Sequence, residues 1–332
     1  MQVRNGFFVA VALGLGSGVL PAQADSKPTQ NASEGYHSVW QLWSKGEGKQ
    51  AEATLQKLVE QFPQDVRLGL FLAASVASHE PDTTAETYFS RLIELGAKSA
   101  KSAPEPLAAQ HFLHLSDPDS ASEAFAALGE LAHQNSKDPV FIWLYAQAAE
   151  RMEKPEVAEK AFNTLLKQSK DAPAVVRQGY ADALEAQGKH FFALEHRLKI
   201  ASYESSPTSL HALSANLASL SRFGEASSVA TLSTRSFPGA PQGWHDLGVI
   251  SAKTNQNELA LTHFSKAAEL SSATFDKSQT LLAWGSCLES QKKYTEAAEK
   301  YRRVASLQGV SAKRIKEANQ RARAAELASG GN

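Results

Sequence analysis

Residues 243–270, GWHDLGVISAKTNQNELALTHFSKAAEL, contain two apolar patterns of helical period, separated by a polar turn. Trp244 and Leu247 lie on one face of the first segment, because residues three or four apart share a face of an α-helix. Ala260 and Phe264 share a face of the second segment in the same way. The stretch therefore predicts two helices that pack against each other.

The second half of this pattern recurs along the whole chain. An alanine that precedes a bulky position by four residues occurs eight times, at steps of 34, 39, 34, 35, 33, 34 and 37 residues. These repeat alanines are Ala51, Ala85, Ala124, Ala158, Ala193, Ala226, Ala260 and Ala297. Arg197 and Ala230 stand where two of the units should have the bulky residue. A period near 34 residues indicates stacked helical repeats.

Turn-forming residues lie between the predicted helices. Gly188, Gly224 and Asn255 are predicted to end first helices, because glycine and asparagine tolerate the left-handed conformation found there. Proline lacks the backbone N–H that a helix interior needs, so it separates one helix from the next. Prolines occur near unit boundaries at Pro63, Pro139, Pro173, Pro207 and Pro238.

The pattern W-x2-L-G-x2-Y, then A-x3-F, then Pro, at this period resembles the tetratricopeptide repeat family. The best unit spans residues 241–274, and it departs from the family at Ser251, where tyrosine is usual. Eight such units cover residues 32–311. The resemblance implies an all-α, right-handed superhelical solenoid of about eight helical hairpins, with a concave groove lined by first helices and a C-terminal capping helix.

Both ends of the chain have patterns of their own. Residues 1–24 have a charged start, an apolar middle and an A-x-A ending, which predict a secretory signal followed by a linker at 25–31. We therefore expect an exported protein, periplasmic or secreted, although retention of the signal as an anchor stays open. Residues 312–328 predict the capping helix, and 329–332 a disordered tail. The apolar stripe of the predicted capping helix consists of Ile315, Ala318, Ala322 and Ala325.

The composition excludes several classes of protein. Apolar residues make up 42% of the 332 residues and charged residues 21%, which is typical of a soluble globular chain. A net charge of -1 gives no reason to expect nucleic-acid binding. The single cysteine, Cys287, cannot form a disulfide framework, and we expect it to be a buried apolar filler. No apolar run after the signal is long enough to span a membrane.

No catalytic or cofactor motif is present, so we expect no enzyme activity, cofactor or metal. His111 and His114 have chelating spacing, but no third ligand is placed near them. His211 and His245 occupy equivalent places in neighbouring units, so they should lie on adjacent helices. They are interpreted as polar residues of the groove, with pH-dependent binding as the alternative. A flexible joint is predicted at 96–105.

The resemblance implies which first-helix residues face the groove. They are Trp143, Gln147 and Glu150 in the fourth unit, Gln178, Asp182 and Glu185 in the fifth, His211 in the sixth, His245 in the seventh, and Ser286 and Glu289 in the eighth. These positions carry no lysine or arginine, so a clamp for a C-terminal carboxylate is not expected. They suggest a mildly acidic groove with one aromatic side chain, Trp143. The alternative for each residue is simple solvation on a helical face.

The sequence as a whole predicts an exported scaffold that binds a protein or peptide segment non-covalently in its groove. One alternative is a structural or assembly subunit of a cell-envelope complex that uses its outer faces. Another is a glycan-binding or hydrolytic protein framed by the repeats. The basic segment 300–332 is interpreted as a solvated cap, with a patch for an anionic partner or membrane surface as the alternative.

Overall fold

The computed structural model describes residues 31–45, 47–78, 82–98, 103–168 and 174–330. Over these ranges the chain forms seventeen α-helices and no β-strand. The helices are α1 Ala32–Ser44, α2 Gly48–Gln61, α3 Val66–Ala77, α4 Asp82–Lys98, α5 Pro104–His114, α6 Ala121–Gln134, α7 Pro139–Arg151, α8 Pro155–Gln168, α9 Ala174–Ala186, α10 His190–Tyr203, α11 Pro207–Ser219, α12 Phe223–Ser236, α13 Pro241–Lys253, α14 Asn257–Leu270, α15 Thr274–Ser290, α16 Tyr294–Ala305 and α17 Ala312–Gly330. The predicted secretory signal lies outside the described residues, as does the middle of the predicted joint.

The first sixteen helices pair into eight hairpins, and each hairpin packs against the next. All eight repeat alanines lie on second helices, and none is more than 2% exposed. Each alanine leaves room for the first helix of its hairpin, so a larger side chain at this place would force the two helices apart. The predicted all-α array of helical hairpins is confirmed.

In the last two hairpins the first helix has a glycine where the second helix packs against it, and the packing explains why. A Cβ atom built on Gly248 would lie 2.6 Å from Cδ1 of Phe264, and one on Gly285 would lie 2.4 Å from Cε1 of Tyr301. Phe264 and Tyr301 are the bulky residues four places after a repeat alanine, and both are buried. Glycine therefore lets the aromatic ring of the second helix lie directly on the backbone of the first.

Gly285→Ala should lower the free energy of unfolding by about 2 kcal/mol, because the added methyl group overlaps the buried Tyr301 ring. Gly224→Ala is the matched control, since a Cβ there meets no atom within 4 Å. Alanine is the better helix former, so the control should be neutral or more stable by up to about 1 kcal/mol. Urea unfolding followed by circular dichroism measures both. Equal effects of the two substitutions would contradict the close approach.

The turns inside the last five hairpins share one geometry. Each has a residue with positive φ five places before its repeat alanine: Glu153, Gly188, Ser221, Asn255 and Lys292. The next residue donates its N–H back to the first helix, as Lys189 does to Leu184 O at 2.9 Å. The predictions for Gly188 and Asn255 are confirmed. The prediction for Gly224 is wrong, because Gly224 lies in the first turn of α12 and Ser221 ends the preceding helix.

The N-terminal hairpins pack against the fourth hairpin as well as against their neighbours. The Trp43 ring lies 4.7 Å from that of Trp143, centroid to centroid, and Phe71 contacts both. The Tyr36 hydroxyl donates a hydrogen bond to Asp138, at the start of α7. One apolar cluster consequently runs from α1 to α9. This non-adjacent packing bends the first two hairpins over the concave side.

Helix α17 closes the other end of the array. It buries Ala318, Ala322 and Ala325 against the last hairpin, whereas Ile315 is half-buried. Arg302 of α16 forms an ion pair with Glu326 on the outer side. The predicted capping helix is confirmed, and it extends to Gly330, into the segment predicted as a disordered tail. None of the described helices is long and apolar enough to cross a membrane.

Candidate functional site

A concave feature, which we name the central cleft, opens between the first hairpin and helices α9 to α11. Its volume is about 620 Å³. It is lined by Trp43, Gly48, Glu52, Ser78, Ala174, Val175, Gln178, Asp182, Ile200, Glu204, Ser206, Thr208 and Ser209. Three of these residues are carboxylates and none is lysine or arginine. The cleft therefore offers an acidic, partly apolar surface.

Two smaller recesses share Asp182 with the central cleft. One, of about 160 Å³, also includes Gln147, Glu150 and Gln178, and the other, of about 370 Å³, also includes Glu150. Trp143 also lines the smaller recess, so the structure brings together five of the predicted groove residues around one surface. Gln178 donates a hydrogen bond to Asp182 at 3.1 Å, which holds the amide against the carboxylate.

Glu150 is the free carboxylate of these recesses. Its side chain is exposed, yet protein surrounds it on the concave side. This partial desolvation and then the negative charge of Asp182 raise the pKa of Glu150 above its ordinary value. A cation that entered the recess would favour the charged form of Glu150, so binding and ionisation are coupled there.

The negative charge of the fifth unit is offset from below by Arg197. This side chain is 2% exposed and forms ion pairs with Asp182 and with Glu185, the latter at 2.7 Å. Asn216 also donates to Glu185 at 2.7 Å. Asp182 and Glu185, both predicted for a mildly acidic groove, are therefore paired carboxylates. Glu185 has a structural role, and Asp182, which is about half exposed, reaches the cleft as a paired carboxylate.

Two predicted groove residues of the fourth unit are buried. Trp143 is only 1% exposed, because the bend of the N-terminal hairpins covers it with Trp43 and Phe71. Gln147 donates to the Ala74 carbonyl at 3.0 Å, across the same contact. The expectation of an exposed groove aromatic at Trp143 is wrong. Its ring stabilises the array from inside.

A second feature, the lateral cavity, lies between α11 and α13 and has a volume of about 380 Å³. It is lined by His211, Ser214, Ala215, Ala218, Ser219, Ser221, Phe223, His245, Asp246, Val249, Ile250 and Lys253. The rings of His211 and His245 lie 5.9 Å apart, so the prediction that they sit on adjacent helices is confirmed. His211 Nδ1 lies 2.7 Å from Asp246 Oδ1.

The two histidines of the lateral cavity have opposite protonation preferences. Burial alone would lower the pKa of His211, but Asp246 and Asp276 outweigh it and raise that pKa above its ordinary value. Burial, and then the nearby His211, lowers the pKa of His245, whose Nδ1 lies 3.2 Å from Thr280 Oγ1. At neutral pH His245 is therefore uncharged.

Ser286 and Glu289, predicted for the groove of the eighth unit, are engaged by neighbouring side chains. Tyr301 donates its hydroxyl hydrogen to Glu289 at 2.7 Å, and Arg321 of the capping helix donates to Ser286 at 2.9 Å. Neither residue lines the central cleft or the lateral cavity.

Several residues of the site were missed by sequence reasoning. Glu52 and Glu204 enter the central cleft from the first hairpin and from the turn before α11, positions outside the expected first-helix pattern. Asp246 was overlooked beside His245, although it lies one repeat and one residue after His211. Over the described residues, no three histidine, cysteine or acidic side chains are grouped to hold a metal ion.

No known family's sequence model and no curated protein matches the chain. Solved structures do match. A tetratricopeptide repeat protein from Parabacteroides merdae matches with a TM-score of 0.53 and 14% identity, over 89% of this chain and 100% of that one. A chain of the APC/C hetero-tetramer Cut9-Hcn1 matches with a TM-score of 0.50 and 16% identity, over 90% of this chain and 60% of that one. Yeast Tom70 matches with a TM-score of 0.50 and 13% identity, over 92% of this chain and 66% of that one. The chain therefore has the tetratricopeptide-repeat fold.

Proposed function

We propose that this protein is a non-enzymatic scaffold that binds an extended segment of a partner protein in the central cleft. The observation that carries the proposal is the lining of that cleft, with Glu52, Asp182 and Glu204 as its charged residues. A segment with basic or polar side chains, interspersed with apolar ones, would complement this surface. Because the carboxylates are partly solvated, they would contribute more to association rate and specificity than to affinity.

The apolar floor of the cleft supports the same proposal. Val175 and Ile200 line it beside the carboxylates, so an incoming side chain could bury apolar area there. Arg197 holds Asp182 and Glu185 from beneath, which fixes the fifth unit in one conformation before a partner arrives. A preformed surface loses less conformational entropy on binding than a flexible one.

A second function is favoured by a different surface. Phe191 is 71% exposed and Phe192 is 65% exposed, both in the first turn of α10 on an outer helix. Exposed aromatic pairs of this kind occur at protein interfaces. A subunit of a cell-envelope assembly would use this outer face, and it would co-purify with its complex in fixed stoichiometry. Export itself remains part of the proposal, and the mature N-terminus of the native protein tests it.

Photocrosslinking in intact cells tests the groove proposal. A photoreactive residue at Gln178 should capture a partner, whereas one at Thr164, exposed on the second helix α8, should not. A third variant at Phe191 tests the outer face. Capture from Phe191 and Thr164 without capture from Gln178 would replace the scaffold proposal with the assembly-subunit alternative.

A further inference from the structure

The lateral cavity contains a buried carboxylate whose hydrogen bonds are incomplete. Asp246 is 4% exposed, and its Oδ1 atom interacts with His211 at 2.7 Å. Its Oδ2 atom has no hydrogen-bond partner among the described residues. Leaving a buried carboxylate oxygen unpaired is costly, more so than for a neutral group. Asp246 is among the residues that line the cavity, while Oδ2 itself is buried beneath its surface. A ligand group that enters the cavity and displaces the side chains covering this oxygen can supply the missing donor.

The other walls of the lateral cavity define what that donor should be. Ser214 already donates to the Ala226 carbonyl at 3.1 Å, and the His245 ring is engaged by Thr280. Phe223, Val249 and Ile250 make the remaining wall apolar. A long side chain with an aliphatic stem and a positively charged tip fits both parts, because the stem packs on the apolar wall while the tip reaches the carboxylate.

We propose that the lateral cavity is a subsite for one lysine or arginine side chain of a bound protein segment, with Asp246 as the residue that receives its charge. Helix α11 connects this subsite to the central cleft, since Thr208 and Ser209 line the cleft and His211 lines the cavity. The subsite deepens the proposed function, because it assigns one basic side chain of the partner to a definite position.

Lys253 is the one lysine or arginine among the residues that line the same cavity. It does not hydrogen-bond to Asp246 Oδ2 in the structure, but it is a rival for that atom because it has the chemistry proposed for the ligand. Removal of Lys253 should consequently maintain or strengthen binding of a cationic probe. A site for an anion would behave in the opposite way, since Lys253 would then be its main attraction.

The test uses N-acetyl-arginine amide as the probe and N-acetyl-citrulline amide as its neutral control, with the full chain labelled at its histidine rings for NMR. We expect saturable shifts of the His211 and His245 signals with the arginine probe. Binding of the citrulline probe should be roughly tenfold weaker, because it lacks the charge. Asp246→Asn should abolish the preference, and Lys253→Met should maintain or increase it.

Ala215→Trp keeps the test informative if Asp246→Asn fails to fold. Ala215 is exposed and lines the cavity, so the indole should block the probe without entering the core. Ser228→Trp, at an exposed position of α12, is the matched control and should bind as the parent does. Equal binding of both probes, or loss of binding in Lys253→Met, would overturn the subsite. Neither result affects crosslinking from Gln178, so the two proposals fail separately.

Discussion

Replacement of Arg197 by methionine is expected to lower the free energy of unfolding by about 3 kcal/mol. The guanidinium is 2% exposed and lies against Asp182 and Glu185, so its loss leaves two facing carboxylates without their cation. Asn216 alone would then donate to Glu185. The effect is at the lower end for a buried ion pair, because Asp182 is about half exposed and water can partly solvate it.

Urea unfolding measures this loss, with Arg222→Met as the control. Arg222 is an exposed arginine paired with Glu225 three residues later, and such surface pairs contribute little to stability because solvent screens them. Adding Asp182→Asn and Glu185→Gln to Arg197→Met should recover much of the lost stability, since no uncompensated charge then remains. If Arg197→Met were as mild as the control, the ion pairs would not stabilise the fifth unit.

Although Arg197→Met should lower stability, it should strengthen the attraction of the central cleft for a basic partner segment. Without Arg197, Asp182 keeps its full negative charge at the edge of the cleft. A basic partner segment should then bind more strongly to the fraction of protein that is folded, although that fraction is smaller. Arg197→Met should therefore lower stability and raise affinity together, because the cation that stabilises the hairpin also weakens its attraction for basic ligands.

The eight hairpins could be predicted because their causes are local. The repeat alanine and the glycine of the first helix act within one hairpin, so a period of about 34 residues reveals them in the sequence. Arg197 was recognised only as a departure from that period. Its partners lie in the first helix of the same hairpin, and the repeat itself gives no rule for a charged residue at a core position.

The groove assignments depended on a different kind of contact. Whether a first-helix residue faces open space is decided by the curvature of the whole array, which brings Trp43 onto Trp143 from a hundred residues away. The capping helix likewise reaches Ser286 through Arg321. A repeat pattern states that a residue is on the concave side, but it cannot state what else the chain places there.

Trp143→Ala is the second substitution with a large expected effect, and it distinguishes a core residue from a partner-binding one. Truncation of a buried tryptophan costs about 3–5 kcal/mol through lost burial and the cavity left behind. Trp143 should show this cost, because its ring packs edge-on against Trp43 and Phe71 across the bend of the array. Trp244→Ala is the matched control, since Trp244 is half-buried and should cost less than half as much.

The shape of the Trp143→Ala protein provides an independent measurement. If the aromatic contact holds the first two hairpins over the concave side, its loss should let them swing away, and solution scattering should report a larger radius of gyration for the folded variant. Crosslinking from Gln178 should weaken as well, because Trp43 and Glu52 would no longer close the central cleft. A variant as stable and compact as the parent that still loses its partner would instead place Trp143 in the binding surface.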